Sequence, residues 1–150
     1  MTLPIKLTIP SEPKYLCLVR GVLKDYLASL QVSERISAKV ALCVNEACSN
    51  VIKYGYEGKV DCPIEISFLC EDDNFNVKIR DYGKTCDVSK IKPRSLDEIK
   101  PGGLGTHFIN QIMDSVEYSS NFEKGTLLSM SKKLEIGLNV IPQKGDSNEC

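Results

Sequence analysis

Two polar residues, Glu46 and Asn50, lie four positions apart in a stretch that has the apolar periodicity of an α-helix. That spacing places both side chains on the same face of a helix. The amide oxygen of Asn50 is a hard ligand of the kind that Mg²⁺ prefers, and the carboxylate of Glu46 can accept a proton from a hydroxyl or from water. Because an ordinary solvent-exposed helix face shows the same pattern, the pair needs support from elsewhere in the chain.

Three further segments contain a glycine beside a residue that could bind a ligand. Asp81-Tyr82-Gly83 follows a strand-like stretch, where the aspartate can accept a hydrogen bond from an exocyclic amine and the glycine lets a ring approach the backbone. Gly102-Gly103-Leu104-Gly105 begins a predicted helix, and a helix N-terminus favours phosphate. Gly125-Thr126 belongs to a predicted hairpin. Each segment alone is a common turn, but the order and placement of all four signals are specific.

The elements that must position these residues follow from the apolar periodicity of the chain. Helices are predicted at residues 11–30, capped by Ser11, at 33–55 and at 104–114, and strands at 3–9, 63–70, 75–80, 116–120 and 126–134. The last four strands form two hairpins. This order predicts an α+β fold, a two-layer α/β sandwich in which three helices cover one face of a mixed, mainly antiparallel sheet.

The second predicted helix has an apolar stripe that leaves Glu46 and Asn50 outside it. The stripe consists of Ile36, Val40, Cys43, Ala47, Val51 and Tyr54. Such a stripe is typical of a helix that packs one side on a core. We therefore expect the two polar side chains to remain accessible to a ligand.

The composition is that of one globular domain. The chain has 150 residues, of which 42% are hydrophobic and 26% charged, and its net charge of -1 argues against a nucleic-acid-binding surface. No apolar run approaches the roughly 18 residues of a membrane helix. Seven cysteines without a Cys-x-x-Cys pair fit reduced thiols in the cytoplasm. We predict a cytoplasmic domain of residues 1–136, followed by a flexible tail of residues 137–150.

Taken together, the motifs resemble the GHKL ATPases, a superfamily that includes gyrase-type topoisomerases, histidine kinases and MutL-like repair proteins. The segment 45–50 with Tyr54-Gly55-Tyr56 resembles the N box, Asp81-Tyr82-Gly83 the first glycine box, and Gly103-Leu104-Gly105 the second. The small size and the Glu-Ala-x-x-Asn form resemble the anti-sigma-factor serine/threonine kinases of bacteria. The resemblance covers residues 5–134 and implies a Bergerat-type ATP-binding fold.

The resemblance also implies a role for each matching residue. Asn50 would bind Mg²⁺, and Glu46 would be the general base. Asp81 would hold the adenine amino group, Gly83 would close over the base, and Thr126 would complete the pocket through a water molecule. Residues 88–102 would form the ATP lid. The residues expected to contact the rest of the nucleotide are Lys100, Gly103, Leu104, Gly105 and Thr106.

The function implied by the resemblance is an ATP-dependent protein serine/threonine kinase. Its substrate would be a STAS-domain anti-sigma-factor antagonist, a sigma factor would be a competing partner, and the kinase would be a homodimer. Two alternatives stay open: a non-catalytic ATP-binding regulatory module and a detached catalytic domain of the histidine-kinase type. Glu46 favours the kinase, because binding alone needs no general base. The one histidine, His107, lies inside the nucleotide-binding pattern, which excludes a stand-alone histidine kinase.

Overall fold

The fold is taken from a computed structural model, in which residues 2–84, 103–120 and 123–137 are described. In chain order the elements are β1 (Ile5–Pro10), α1 (Leu16–Ser29), α2 (Glu34–Asn50), β2 (Pro63–Glu71), β3 (Asn74–Asp81), α3 (Gly103–Ile112), β4 (Ser115–Ser119) and β5 (Thr126–Lys133). A 3₁₀ turn (Pro13–Tyr15) precedes α1, and a π-helical turn (Val51–Gly55) extends α2.

The five described strands form one sheet in the order β1-β2-β3-β5-β4, and every pairing is antiparallel. Alternate side chains of the strands, such as Ile66, Val77 and Met130, are buried with the apolar faces of the helices. The side chains between them, such as Glu65 and Lys78, are exposed. The prediction of an α+β two-layer sandwich is confirmed, and the sheet is antiparallel throughout its described strands rather than mixed.

The start of α1 differs from the prediction. The Ser11 hydroxyl donates to the Lys59 carbonyl oxygen (2.6 Å) and accepts from the Cys62 N–H (3.1 Å), so it joins the end of β1 to the segment before β2. Pro13 opens the 3₁₀ turn, and α1 begins only at Leu16. The predicted helix cap at Ser11 is therefore wrong, because its hydroxyl bonds to a segment distant in sequence.

The second helix begins as predicted but ends in a different geometry. The Ser33 hydroxyl accepts from the Ile36 N–H (3.3 Å), which is the usual N-cap bond. After Asn50 the chain makes the π-helical turn, closed by the bond from the Tyr56 N–H to the Val51 carbonyl oxygen (2.8 Å). This wider turn shifts the helical phase.

Because of the shifted phase, Tyr56 is buried in place of Tyr54. Tyr54, predicted to extend the apolar stripe, is 51% exposed, whereas Tyr56 is only 5% exposed. The rest of the stripe lies in the core or against it. The placement of Tyr54 was wrong because the prediction assumed 3.6 residues per turn as far as Gly55.

Strand pairing brings two predicted site residues side by side. Asp72 and Asp73 have φ angles of 48° and 64°, and this two-residue turn sets the register of β2 on β3. At the far end of β3, Asp81 pairs with Thr126, the first residue of β5. Both are buried polar residues at one edge of the core.

Candidate functional site

The carboxylate of Glu46 lies directly against the beginning of α3. A Cβ atom added to Gly105 would be 2.7 Å from the Glu46 Oε2, closer than real contacts allow. Only glycine therefore fits this position of α3 unless the Glu46 side chain moves. Glu46 is partly exposed.

The Asp81 carboxylate marks the other end of the site. Asp81 is 4% exposed, and its Oδ1 accepts from the Gly83 N–H at 3.0 Å. Burial raises the pKa of this carboxyl above its ordinary value, against the opposing effects of the Gly83 N–H, Arg80 and the Thr126 backbone. A buried carboxylate of this kind has a strong tendency to accept a hydrogen bond from a ligand donor.

The second helix connects the two ends. Gly55, at the end of the π-helical turn, is close to Asp81, since a Cβ there would be 3.4 Å from the Asp81 Oδ1. Glu46 and Gly55 are nine positions apart, which corresponds to about 13 Å along a helix. Asn50 lies between them and is partly exposed. Glu46 therefore lies against Gly105 and the end of the π-helical turn lies against Asp81, with Asn50 between the two contacts along the chain.

The first glycine segment packs on the end of this helix. A Cβ on Gly83 would collide with the carbonyl oxygen of Gly55, and the Lys84 N–H donates to that same oxygen at 2.7 Å. Glycine at 83 is therefore required by backbone packing. Its expected role above a bound ring stays a prediction.

A buried phenol joins the same segment to β2. The Tyr56 hydroxyl donates to the Pro63 carbonyl oxygen (2.5 Å) and accepts from the Tyr82 N–H (2.9 Å). Burial is the main reason that the pKa of Tyr56 is raised. The sequence analysis included Tyr56 in the segment that resembles the N box but assigned it no role.

On the other side of the sheet, Arg80 holds the strand ends together. Its guanidinium donates to the carbonyl oxygens of Asp81, Lys124 (3.0 Å) and Thr126 (3.5 Å). It also lies over the Tyr82 ring, 4.2 Å from the ring centroid. Nothing in the pattern of the strand singled out Arg80, because its partners are carbonyl groups that only strand pairing brings within reach.

The remaining predicted residues fall into three groups. Thr126 is 8% exposed and adjacent to Asp81. Gly103 begins α3, and the Thr106 carbonyl oxygen accepts from the Asn110 amide (2.9 Å) within that helix. Lys100, the lid segment 88–102 and the side chain of Leu104 lie outside the described residues.

A short hydrogen bond anchors α1 to the site. The Arg20 Nη1 donates to the Asn45 Oδ1 at 2.5 Å, one residue before Glu46. This bond ties α1 to α2 at the residue before Glu46. Arg20 is a second residue that the sequence patterns did not single out.

Comparison with known proteins identifies the arrangement. Residues 9–132 match the family described as Histidine kinase-like ATPase domain. The chain belongs to this family. All the site residues described above lie within the matched region, so the resemblance to the GHKL ATPases is confirmed at the level of the family.

Curated relatives of this histidine kinase-like ATPase domain include proteins named Serine-protein kinase RsbW. The protein from Bacillus pumilus is 26% identical over 140 residues, which cover 87% of this chain and 85% of that protein. The protein from Listeria monocytogenes (strain EGD-e) is 27% identical over 136 residues, covering 85% of each.

Solved structures share the fold. The RsbU and RsbW domains of Rv1364c from Mycobacterium tuberculosis align with a TM-score of 0.65 and 16% identity, over 90% of this chain and 33% of that chain. A blue-light activated histidine kinase from Erythrobacter litoralis aligns with a TM-score of 0.54 and 13% identity, over 84% of this chain and 62% of that chain. These likenesses support the fold alone. Within the described part of the chain, no helix is long and apolar enough to cross a membrane.

Proposed function

We propose that this chain is an ATP-dependent protein kinase that phosphorylates a serine or threonine on a partner protein. The main structural support for the proposal is the contact between the Glu46 carboxylate and the first turn of α3. A glycine-containing helix N-terminus favours phosphate, and here a candidate general base lies directly beside it. The relatives named as serine-protein kinases support this function over most of their length.

The adenine base would bind at the Asp81 end of the site. The buried Asp81 carboxylate is a suitable acceptor for the exocyclic amine, and Thr126 lies beside it in the sheet. Gly83 would cover the base. This end suits ATP, because the exocyclic amine of adenine is a donor from which a buried carboxylate can accept in addition to the Gly83 N–H.

The phosphate end would be formed by α3 and the middle of α2. Backbone N–H groups at Gly103, Leu104, Gly105 and Thr106 would bind the phosphates, with Lys100 contributing positive charge. The side-chain oxygen of Asn50 would hold Mg²⁺, whose chemistry there is to neutralise phosphate charge. The donor type fits, because the side chain of Asn50 offers a hard oxygen ligand and the residue is partly exposed.

Glu46 would act on the protein substrate. Its carboxylate accepts the proton of the serine or threonine hydroxyl while that oxygen bonds to the γ-phosphorus. The bond from the γ-phosphorus to the bridging oxygen breaks, and ADP leaves. Arg20, through Asn45, keeps the part of α2 that carries Glu46 in place.

The proposed partners follow from the family resemblance. The substrate is a STAS-domain anti-sigma-factor antagonist, a sigma factor is a competing partner, and the kinase works as a homodimer in the cytoplasm. Residues 1–136 form the kinase domain, with a tail after it. If any of these assignments is wrong, the proposed chemistry at Glu46 is not affected.

Phosphate transfer tests the proposal. Purified protein, γ-labelled ATP and a STAS-domain protein should give label on the partner that survives acid, as serine and threonine phosphoesters do. Glu46→Gln should reduce transfer by at least about a hundredfold, the usual contribution of a general base, while ATP binding persists. Glu117→Gln, an exposed carboxylate on β4, is the matched control and should transfer normally.

Two results would replace the proposal with one of its alternatives. ATP binding without transfer to any candidate partner would identify a non-catalytic regulatory module. Acid-labile label on a histidine of a partner would identify a detached catalytic domain of the histidine-kinase type.

A further inference from the structure

We propose that Tyr56 is a positioning residue for adenine recognition, acting through the backbone of the Asp81–Gly83 turn. The inference rests on the proposed function, since it concerns the same nucleotide site. The Tyr56 hydroxyl forms its hydrogen bonds with the backbone of Pro63 and Tyr82 and not with Asp81. It acts instead on the residue between Asp81 and Gly83.

The phenol links β2 and β3 at their ends, one position beyond Ile64 and Asp81, the last pair of the β2–β3 ladder. It donates to the Pro63 carbonyl oxygen and accepts from the Tyr82 N–H, at 2.5 and 2.9 Å. A phenol can do both at once, because its oxygen is donor and acceptor together. The first residue of β2 is thereby linked to the turn after β3.

Tyr82 lies between Asp81 and Gly83, the residue whose N–H holds the Asp81 carboxylate beside the Thr126 backbone. The Asp81 Oδ1 is held by the Gly83 N–H, so the carboxylate, Tyr82 and Gly83 form one small ring of contacts. Loss of the Tyr56 oxygen leaves the Tyr82 N–H without this acceptor. The turn then gains alternative conformations, in most of which the Asp81 carboxylate points away from a bound base.

The chain offers a matched pair of tyrosines for the test. Tyr56 is 5% exposed, whereas Tyr54, two positions earlier, is 51% exposed. Phenylalanine at either position keeps the ring and removes one oxygen. The variant keeps the ring at 56 because the ring packs close to Gly83: its Cδ1 would be 3.0 Å from a Cβ added to Gly83.

The experiment combines these variants with a change in the ligand. ATP and purine riboside triphosphate, which lacks the 6-amino group, are titrated into wild type, Tyr56→Phe and Tyr54→Phe by calorimetry. Tyr56→Phe should weaken ATP about tenfold, equivalent to about 1.4 kcal/mol, because the Asp81 contact is lost. The analogue cannot make that contact, so its affinity should change by less than about twofold. Tyr54→Phe should leave both affinities unchanged.

Kinetics give a second measurement. Tyr56→Phe should raise KM for ATP about tenfold and keep kcat, because Glu46 and Gly105 lie at the opposite end of the proposed nucleotide site from Asp81. A fall in kcat with unchanged KM would overturn the assignment to adenine recognition.

The outcomes separate this inference from the function on which it rests. If wild type prefers ATP to the analogue and Tyr56→Phe retains the preference in full, the inference fails and the proposed function stands. Equal weakening of both ligands by Tyr56→Phe also overturns it, because the role is then only structural. If wild type shows no preference, the assignment of adenine to Asp81 fails first and the inference fails with it.

A measurement on wild type does not depend on whether the variant folds. Amide hydrogen exchange should show a protected Tyr82 N–H in the nucleotide-free protein. Exchange at the rate of an unstructured peptide would mean that the bond to Tyr56 is absent, and the inference would be overturned.

Discussion

Asp81 combines a cost in stability with a proposed role in binding adenine. It is a carboxyl group that folding removes almost completely from water, and burial raises its pKa. A group with a raised pKa in the folded state binds more protons there than in the unfolded chain. Its unfavourable effect on stability therefore grows as the pH rises from the unfolded pKa, near 3.8, through the folded pKa.

Replacing Asp81 should separate its effect on the stability of the fold from its proposed effect on ATP binding. Asp81→Asn removes the buried charge but keeps an oxygen for the Gly83 N–H, so the nucleotide-free protein should be more stable at pH 7. The gain should shrink as the pH is lowered toward 4, which thermal unfolding at several pH values can measure.

The same variant should bind ATP at least about tenfold more weakly, because the amide can place a donor against the adenine amine. Asp25→Asn, an exposed carboxylate on α1, controls for the change in net charge. Wild-type affinity in Asp81→Asn would remove Asp81 from the adenine site.

At the scale of elements, the turn before β5 is built against the end of β3. Gly125 has a φ of +87°, and a Cβ there would collide with the Asp81 carbonyl oxygen. The Arg80 guanidinium bonds to the carbonyl groups on both sides of this contact. The hairpin therefore lies closer to the site than a residue with a side chain would allow.

Two glycines allow this packing to be measured apart from backbone strain. Gly58→Ala should cost about 1–2 kcal/mol of unfolding free energy, since its φ is +80° but no atom lies within 4 Å of the added Cβ. Gly125→Ala should cost about 1–3 kcal/mol more, because its Cβ also displaces the Asp81 backbone. Denaturant unfolding measures both, and equal losses would contradict the packing argument.

At the scale of the whole molecule, α2 packs one side into the hydrophobic core. Cys43 and Cys48 lie in that core at 0% exposure. Burial raises the pKa of each thiol to about 12. At pH 8 only about one in ten thousand such groups is a thiolate even if a reagent reaches it.

Alkylation can therefore report global unfolding. In iodoacetamide at pH 8, Cys17, which is exposed on α1, should be modified within minutes, and Cys43 and Cys48 only as fast as the chain unfolds. Peptide mass spectrometry distinguishes the sites. Rapid modification of Cys48 in the folded protein would show that α2 opens locally, and its packing would then be weaker than the structure indicates.

Much of this molecule was predictable from local patterns. Period-2 alternation located all five described strands, and the N-cap at Ser33 located the start of α2, because both depend on residues close in sequence. The order of Glu46, Asn50, Asp81 and Gly105 predicted the family, which the match over residues 9–132 confirmed. Their individual roles, and the contributions of Lys100 and the tail, stay predictions.

The contacts that support those residues could be seen only in the folded structure. The bonds of Ser11 and the bonds from Arg80 to Lys124 and Thr126 join segments far apart in sequence. The burial of Tyr56 in place of Tyr54 depends on a π-helical turn, which departs from the period that the pattern assumes. A side-chain pattern records which faces are apolar, because burial follows the period of each element. It does not record which backbone groups meet across the sheet, since those partners exist only after the strands have paired.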